Sequence, residues 1–424
     1  MKNFFKFIVA LMLSFFARAV VRRYRPSIVM VTGSVGKTST KDAVAAVLTA
    51  RFLVRKSEKS FNSEFGVPFT ILGVGNPWGN PFAWFSVVKS AFALLFLPNH
   101  YPNMLVLEIG ADRPGDLARI LRIATPEAVV VTRLPQIPVH VEAYSSPEAV
   151  REEEFSPAYA LRAGAPLIIP SDDAYALDMA ARIPACVISY GTAEDATVRI
   201  GEAEFHETDG AVDGMSTRVR VGEANEGLFV RGSVGRTQLL PAAAALAIAV
   251  AFDIETLDAL RALGEYDPPP GRGRLLRGKN GSIVIDDSYN ASPAAVEEAL
   301  TTLKAFPHAK RRIAVLGDML ELGRYSVMEH ERIGALARDS ADIVAAVGIR
   351  ARIFVDTQGS AEVILFDNAR VAAHSLAELA RDGDVFLVKG SQSVRMERIV
   401  EALLADPVDT VRLVRQEKAW RRRV

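Results

Sequence analysis

The chain has 424 residues, 50% hydrophobic and 24% charged, enough for two or three folded domains with cores of their own. Lys+Arg and Asp+Glu both number 50, so no overall positive field argues for nucleic acid as a partner. A single cysteine, Cys186, excludes a disulfide framework and a cysteine-based zinc site, and it fits a reducing compartment.

The N-terminus is apolar from Phe4 to Val21 and is followed by Arg22, Arg23 and Arg25. Only 11 residues run uninterrupted between Lys6 and Arg18. That is short of the ~20 needed to span a bilayer. Residues 1–26 therefore read as a candidate membrane-associated segment, an interfacial helix with a basic end. A second apolar stretch, 81–98, interrupted by Lys89, is expected to lie beside it; packing of both on the core is the alternative.

From Ser27 a short apolar run, Ile28 to Val31, has the pattern of a buried parallel strand. It passes through Thr32, Gly33, Ser34, Val35, Gly36, Lys37, Thr38 and Ser39 into helical spacing, with Val44, Val47 and Leu48 on one face. A strand, a glycine-bearing turn and a helix opening on Lys-Thr is the layout of a phosphate-binding loop, whose N–H groups and positive helix end attract anions. Lys37 then reaches the outer phosphates, and the Thr38 hydroxyl holds Mg²⁺. The general motif G-x-x-x-x-G-K-[ST] has its first glycine where this chain has Val31, and a plain glycine turn is the competing reading.

Further strands are expected at Phe52–Lys56, Met104–Gly110, Ala128–Thr132, Leu167–Ile169 and Val187–Ser189, with helices through Ile123 and over Ser146–Leu161. This alternation predicts an α/β class, a P-loop central domain with a mainly parallel sheet over residues 27–267. Glu108 and His140 lie at or beyond strand ends, where such sheets gather ligands. An antiparallel set is expected over Ala196–Arg231, then helices over Pro241–Phe252 and Ile254–Leu263. Asp267-Pro-Pro-Pro-Gly-Arg-Gly-Arg274 is a linker by composition. Residues 268–424 read as a second, Rossmann-like α/β domain. Its strands fall at Ser282–Asp286, Ile313–Leu316, Ile343–Val347 and Val385–Val388, and its helices at Pro293–Phe306, Glu329–Arg338, Arg370–Arg381 and Arg395–Leu404.

Five motifs occur in order: Gly33-Ser-Val-Gly-Lys-Thr38, Leu107-Glu-Ile-Gly-Ala111, Asp286-Asp-Ser-Tyr-Asn-Ala-Ser-Pro293, Leu316-Gly-Asp-Met-Leu-Glu-Leu-Gly323 with His330, and Val388-Lys-Gly-Ser391. Together they resemble the Mur ligases over about Ser27 to Leu404. The resemblance implies a monomeric, cytoplasmic ATP- and Mg²⁺-dependent ligase, in peripheral contact with the plasma membrane if the apolar segments dock there. Its implied substrates are a muramoyl tripeptide and D-alanyl-D-alanine, joined through an acyl phosphate. A related ligase of lipid-linked muropeptide, poly-glutamate or folate, or a nucleotide-binding protein without catalysis, are the alternatives. By the same resemblance the loop from Gly33 to Ser39 holds ATP, and Thr38 and Glu108 hold one Mg²⁺. His140 holds a second, and Arg272 is directed at the γ-phosphate. Asp286 or Asp287 takes the ribose, Tyr289 and Asn290 face the nucleotide, and Asn62, Lys389, Gly390 and Ser391 contact the substrates. The resemblance also carries departures. Only about 26 apolar residues precede the first strand, where the family has a uridine-binding domain. Thr237-Gln-Leu-Leu-Pro241 replaces an asparagine-bearing adenine segment, and Glu154 stands in place of a carbamylated lysine.

Overall fold

The structure, a computed structural model, describes residues 2–58, 60–78 and 80–421; the last residues of the basic tail lie outside it. The first sheet uses β1 (Ser27–Thr32), β2 (Val54–Lys56), β3 (Met104–Glu108), β4 (Ala128–Val131), β5 (Pro166–Pro170), β6 (Cys186–Gly191), β7 (Val198–Ile200), β8 (Glu204–Thr208), β9 (Ala211–Val221) and β10 (Ala224–Arg231). Its order is β10-β9-β7-β6-β5-β4-β1-β3-β2, with β8 paired to β9. The neighbours from β2 to β7 are parallel, whereas β8, β9 and β10 pair antiparallel, as the switch to glycine-punctuated alternation predicts.

Burial explains the continuous apolar runs. Successive residues of a strand face opposite sides. Val29 and Val31 join one core under α2 (Lys37–Leu48) and the helix Arg236–Ala251. Ile28 and Met30 join the other, under α1 (Lys2–Tyr24), α3 (Gly66–Leu72) and α4 (Pro81–Phe96). The helix expected from Pro241 begins earlier, at Arg236, and Pro241 lies within it.

The second sheet uses β11 (Arg274–Arg277), β12 (Ile283–Asp287), β13 (Arg311–Gly317), β14 (Ile343–Val347), β15 (Glu362–Phe366) and β16 (Asp384–Lys389), in the order β11-β12-β16-β13-β14-β15. All neighbours are parallel except β11 against β12. The two edge strands, β11 and β15, are not among the expected ones. Both are partly solvated: β11 has only Leu275 and Leu276 between arginines, whereas β15 does carry an apolar run, Val363 to Phe366, which the expected strands leave out.

The two apolar N-terminal segments are helices lying side by side. Phe16 meets Phe92 edge-on with ring centres 5.6 Å apart, Tyr24 OH donates to Leu94 O at 2.7 Å, and Arg23 donates to Leu95 O. Among the described residues no helix is long and apolar enough to cross a membrane.

Candidate active site

Between the two sheets lies a cleft of about 660 Å³. Ser34, Lys37, Thr38, Asn62, Glu108 and His140 line it from the first domain, and Arg272, Tyr289, Asn290, Glu321 and Ser391 from the second. The phosphate loop forms its floor at the carboxyl end of β1. Gly33 has φ 111°, and a Cβ there would come within 2.4 Å of Thr132 Oγ1, so this turn admits only glycine. Gly36, at φ 91°, caps α2 and leaves the first N–H groups of that helix without helical partners. Val35 and Ser39 do not line the cleft. Val35 bridges to Arg133, and the Ser39 carbonyl accepts Tyr266 OH at 3.2 Å.

Glu108 ends β3 beside the loop and is 1% exposed. Its Oε1 accepts Thr38 Oγ1 at 3.2 Å, while Oε2 is buried without a hydrogen-bond partner. Burial pushes this carboxyl above the ordinary range, against the opposing charges of Lys41, Lys37 and Arg272. A buried carboxylate oxygen left unpaired beside a phosphate loop is costly unless a cation completes it, so Glu108 and Thr38 fit a bound Mg²⁺. Among the described residues no group of three or more His, Cys, Asp or Glu converges on one point. Mg²⁺ suits such a sparse donor set, because it keeps waters and takes phosphate oxygens.

Three contacts across the cleft close the second domain onto the first. Arg272 Nη2 lies 3.4 Å from Thr38 Oγ1, and its guanidinium stacks 4.2 Å over the Tyr289 ring. Tyr289 OH is 2.7 Å from Ser60 Oγ. His140 Nδ1 is 2.9 Å from Glu321 Oε2, and its Nε2 is 3.6 Å from Asp112. Burial lowers the His140 pKa, but the hydrogen bond and charge of Glu321, with Asp112, outweigh it, and the net shift is upward. Both His140 and Glu321 have φ 65°, the left-handed region that non-glycine residues rarely occupy, which places the strain at the contact between domains.

Glu154 is not part of a solvated acidic face. It is 2% exposed, accepts from Ser34 Oγ, and its Oε1 lies 3.9 Å from Lys37 Nζ. Burial raises its pKa, with Lys37 the main opposing charge. Its neighbours in the run do other work. Glu153 accepts the N–H groups of Gly115 and Leu117 at 3.1 and 3.0 Å, and Glu152 accepts Tyr159 OH.

The adjacent aspartates separate. Asp286 is 0% exposed, its Oδ1 caps Ser288 N–H, and its Oδ2 has no partner. Asp287 lines a crevice with Thr237 and Gln238, the latter carrying an unpaired buried Oε1. Of the two aspartates expected to offer one to the ribose, Asp287 is the one at a cavity, and Asp286 is enclosed. Lys389 does not line the cleft. It is 2% exposed and donates to Asp287 Oδ2 at 2.6 Å and to Asn290 O at 3.1 Å, so it props the 287–290 loop from beneath. Gly390 is packed against Gly317, where a Cβ would meet the Gly317 Cα at 3.0 Å, and Ser391 lines the cleft and accepts Leu320 N–H at 2.9 Å. His330 is a buried prop: its Nε2 accepts Met319 N–H at 3.0 Å and its Nδ1 donates to Ser326 O at 2.7 Å, which holds the segment carrying Glu321.

Several lining residues carry no sequence signal of their own, among them Ser60, Gln392, Arg395 and Trp420. Trp420 reaches the cleft because the basic tail folds back. Arg415 donates to Glu397, to Ser288 O at 3.2 Å and to Tyr289 O, and Arg395 donates to Trp420 O at 3.0 Å.

Residues 31–249 match the Mur ligase middle domain, and residues 271–392 match the Mur ligase glutamate ligase domain. The chain is 26% identical to the UDP-N-acetylmuramoyl-tripeptide–D-alanyl-D-alanine ligase of Bacillus subtilis, over 92% of this chain and 79% of that protein. It is 31% identical to the Mycobacterium leprae protein of the same name, over 90% of this chain and 74% of that one. The ADP complex of the MurF ligase from Thermotoga maritima superposes with a TM-score of 0.75 at 26% identity, over 93% of this chain and 83% of that one. The two matched domains meet at the cleft that holds the phosphate loop, Glu108 and Arg272, and the chain belongs to the Mur ligase family.

Proposed function

We propose that the chain joins D-alanyl-D-alanine to a muramoyl tripeptide at the expense of ATP, in the synthesis of a peptidoglycan precursor. A carboxylate oxygen of the tripeptide attacks the γ-phosphorus, the bond to the β-phosphate oxygen breaks, and ADP leaves. The amine of D-alanyl-D-alanine then attacks the acyl carbon, the carbon–oxygen bond to phosphate breaks, and the nitrogen gives up a proton. Mg²⁺, held by Thr38 and Glu108, supplies charge neutralisation at the phosphates when bound.

The chain's own residues do the rest. The loop from Gly33 to Thr38 seats the phosphates on backbone N–H groups, and Lys37 places a cation on them. Arg272 brings charge from the second domain to the transferring group. Asp287 and Gln238 border the nucleoside side, Tyr289 and Asn290 close over it, and Asn62 and Ser391 border the substrates. His140, lining the cleft, and Glu154, buried behind Lys37, are assigned to a second Mg²⁺, His140 in its neutral form through Nε2 and Glu154 replacing a modified lysine with an unmodified carboxylate. The observation that carries this reading is the unpaired Glu108 oxygen under Thr38, with Arg272 reaching the same hydroxyl across the cleft. Peripheral contact with a bilayer at the inner face of the plasma membrane belongs to the same proposal and is developed below. Labelling both oxygens of the tripeptide carboxylate with heavy oxygen tests the chemistry: ligation by way of an acyl phosphate carries one labelled oxygen into released phosphate, whereas unlabelled phosphate, with the lost oxygen found in AMP or water, contradicts it.

A further inference from the structure

The ligase chemistry leaves the outer side of α1 and α4 unused. On α1, Val9, Leu13, Ala17 and Val20 turn into the core. Phe7, Leu11 and Phe15 run along the opposite stripe, 60%, 53% and 67% exposed. On α4, Val87, Ala91 and Leu94 face inward, while Phe82, Phe85, Phe92 and Phe96 form an outward stripe, 86%, 74%, 50% and 70% exposed. Phe92 stacks on Phe96, and an apolar groove of about 520 Å³ runs between the two helices with Arg23 on its wall. A folded protein rarely leaves that many aromatic rings in water on one face.

Charge names the occupant. Residues 1–41 and 65–107 contain no Asp or Glu, although the whole chain carries 50 acidic and 50 basic residues. The same two helices and their ends carry exposed Lys6, Arg18, Arg22, Arg25 and Lys89. Arg18 and Arg22 continue the stripe of Leu11 and Phe15 by one and two further turns. Apolar rings bordered by cations, with no anion among them, complement the acyl boundary and the phosphates of an anionic bilayer. Another protein's apolar face would satisfy the rings and leave these cations without partners.

We propose that α1 and α4 dock side by side on an anionic lipid surface, with Phe82, Phe85, Phe96 and Phe15 entering the acyl boundary and Arg18 and Arg22 meeting lipid phosphates. This rests on the peripheral-contact reading above. It fixes the docking face, the inserted residues and the lipid charge. Both helices stay in the interface, since neither is long and apolar enough to span.

The test is co-sedimentation of the full chain at low salt with phosphatidylglycerol/phosphatidylethanolamine vesicles and, separately, with phosphatidylcholine vesicles. The wild type should pellet with the anionic vesicles. The variant F82S/F85S/F96S should lose roughly 100-fold or more in partitioning. The variant R18Q/R22Q should lose roughly 25-fold on anionic vesicles and nothing on phosphatidylcholine. ADP release measured in the same samples should be unchanged in both variants, which shows that they fold and keeps docking separate from the ligase reading. Wild-type protein that stays in the supernatant overturns the proposal, as do variants that bind like wild type. So does a wild-type dimer in solution that F82S/F85S/F96S converts to monomer, because a second copy would then cover the face.

Discussion

Lys37 and Glu154 form the most exacting pair at the residue scale, since a buried carboxylate and the phosphate-loop cation stand 3.9 Å apart. Lys37→Ala should cut the ADP-release rate at least ~100-fold, because the developing phosphate charge loses its positioned cation. Near-normal turnover in that variant would remove the loop from the mechanism. Glu154→Gln should raise the Mg²⁺ concentration needed for half-maximal rate and lower kcat, with activity independent of bicarbonate. Glu153→Gln should instead cost ~1 kcal/mol of stability, the loss of a helix cap, read as a lower Tm, and leave the Mg²⁺ dependence alone. Equal, small effects from both would reduce Glu154 to a structural charge.

Asp286 has a pH signature. Burial pushes its pKa up to about 6 from 3.8. The folded state therefore holds the proton more tightly than the unfolded one, and ionising Asp286 works against folding. Its stability contribution is full below the unfolded value and is lost as pH rises through about 6, by roughly 3 kcal/mol. Asn keeps the acceptor for Ser288 N–H, so Asp286→Asn should raise the Tm at neutral pH and lose that advantage near pH ~4. A gain that is the same at both pH values would contradict this. From sequence alone Asp286 and Asp287 cannot be told apart beyond their facing opposite ways. The register that sets Asp287 opposite Lys389 on β16 decides between them. Likewise, nothing in Glu152-Glu153-Glu154 says that one caps a helix and another is buried against a lysine.

At the scale of elements, the strands and helices that carry the site are legible because buried parallel strands are continuous apolar runs between glycine turns. The edge strand β11 and the start of the helix at Arg236 are not, since solvation at an edge and a proline inside a helix both blur the period, whereas β15 has a legible apolar run, Val363 to Phe366, that the expected strands leave out. The contact between the segments carrying His140 and Glu321 is also invisible in sequence, as it joins the two domains. With the His140 pKa raised above 6.5, that contact is fully present below 6.5 and is lost as pH climbs through the raised value. Glu321→Gln should raise the KM for ATP several-fold near neutral pH and flatten its rise with pH. An unchanged pH profile of KM would show that His140 and Glu321 do not hold the domains together.

For the whole molecule, order of motifs and alternation of elements give two α/β domains and a nucleotide cleft, and the structure adds how the cleft closes and that the C-terminal tail forms part of its wall. Tail residues such as Arg415 and Trp420 have no local pattern to betray them, because their role depends on chain crossing from the far end of the second domain. The central claim is acceptor-dependent ligation, and ADP release measures it most directly. With ATP, Mg²⁺ and UDP-N-acetylmuramoyl tripeptide present, adding D-alanyl-D-alanine should start sustained ADP release, and L-alanine, D-alanine or glutamate should not replace it. ADP release indifferent to D-alanyl-D-alanine, or greater with another acceptor, would contradict the account.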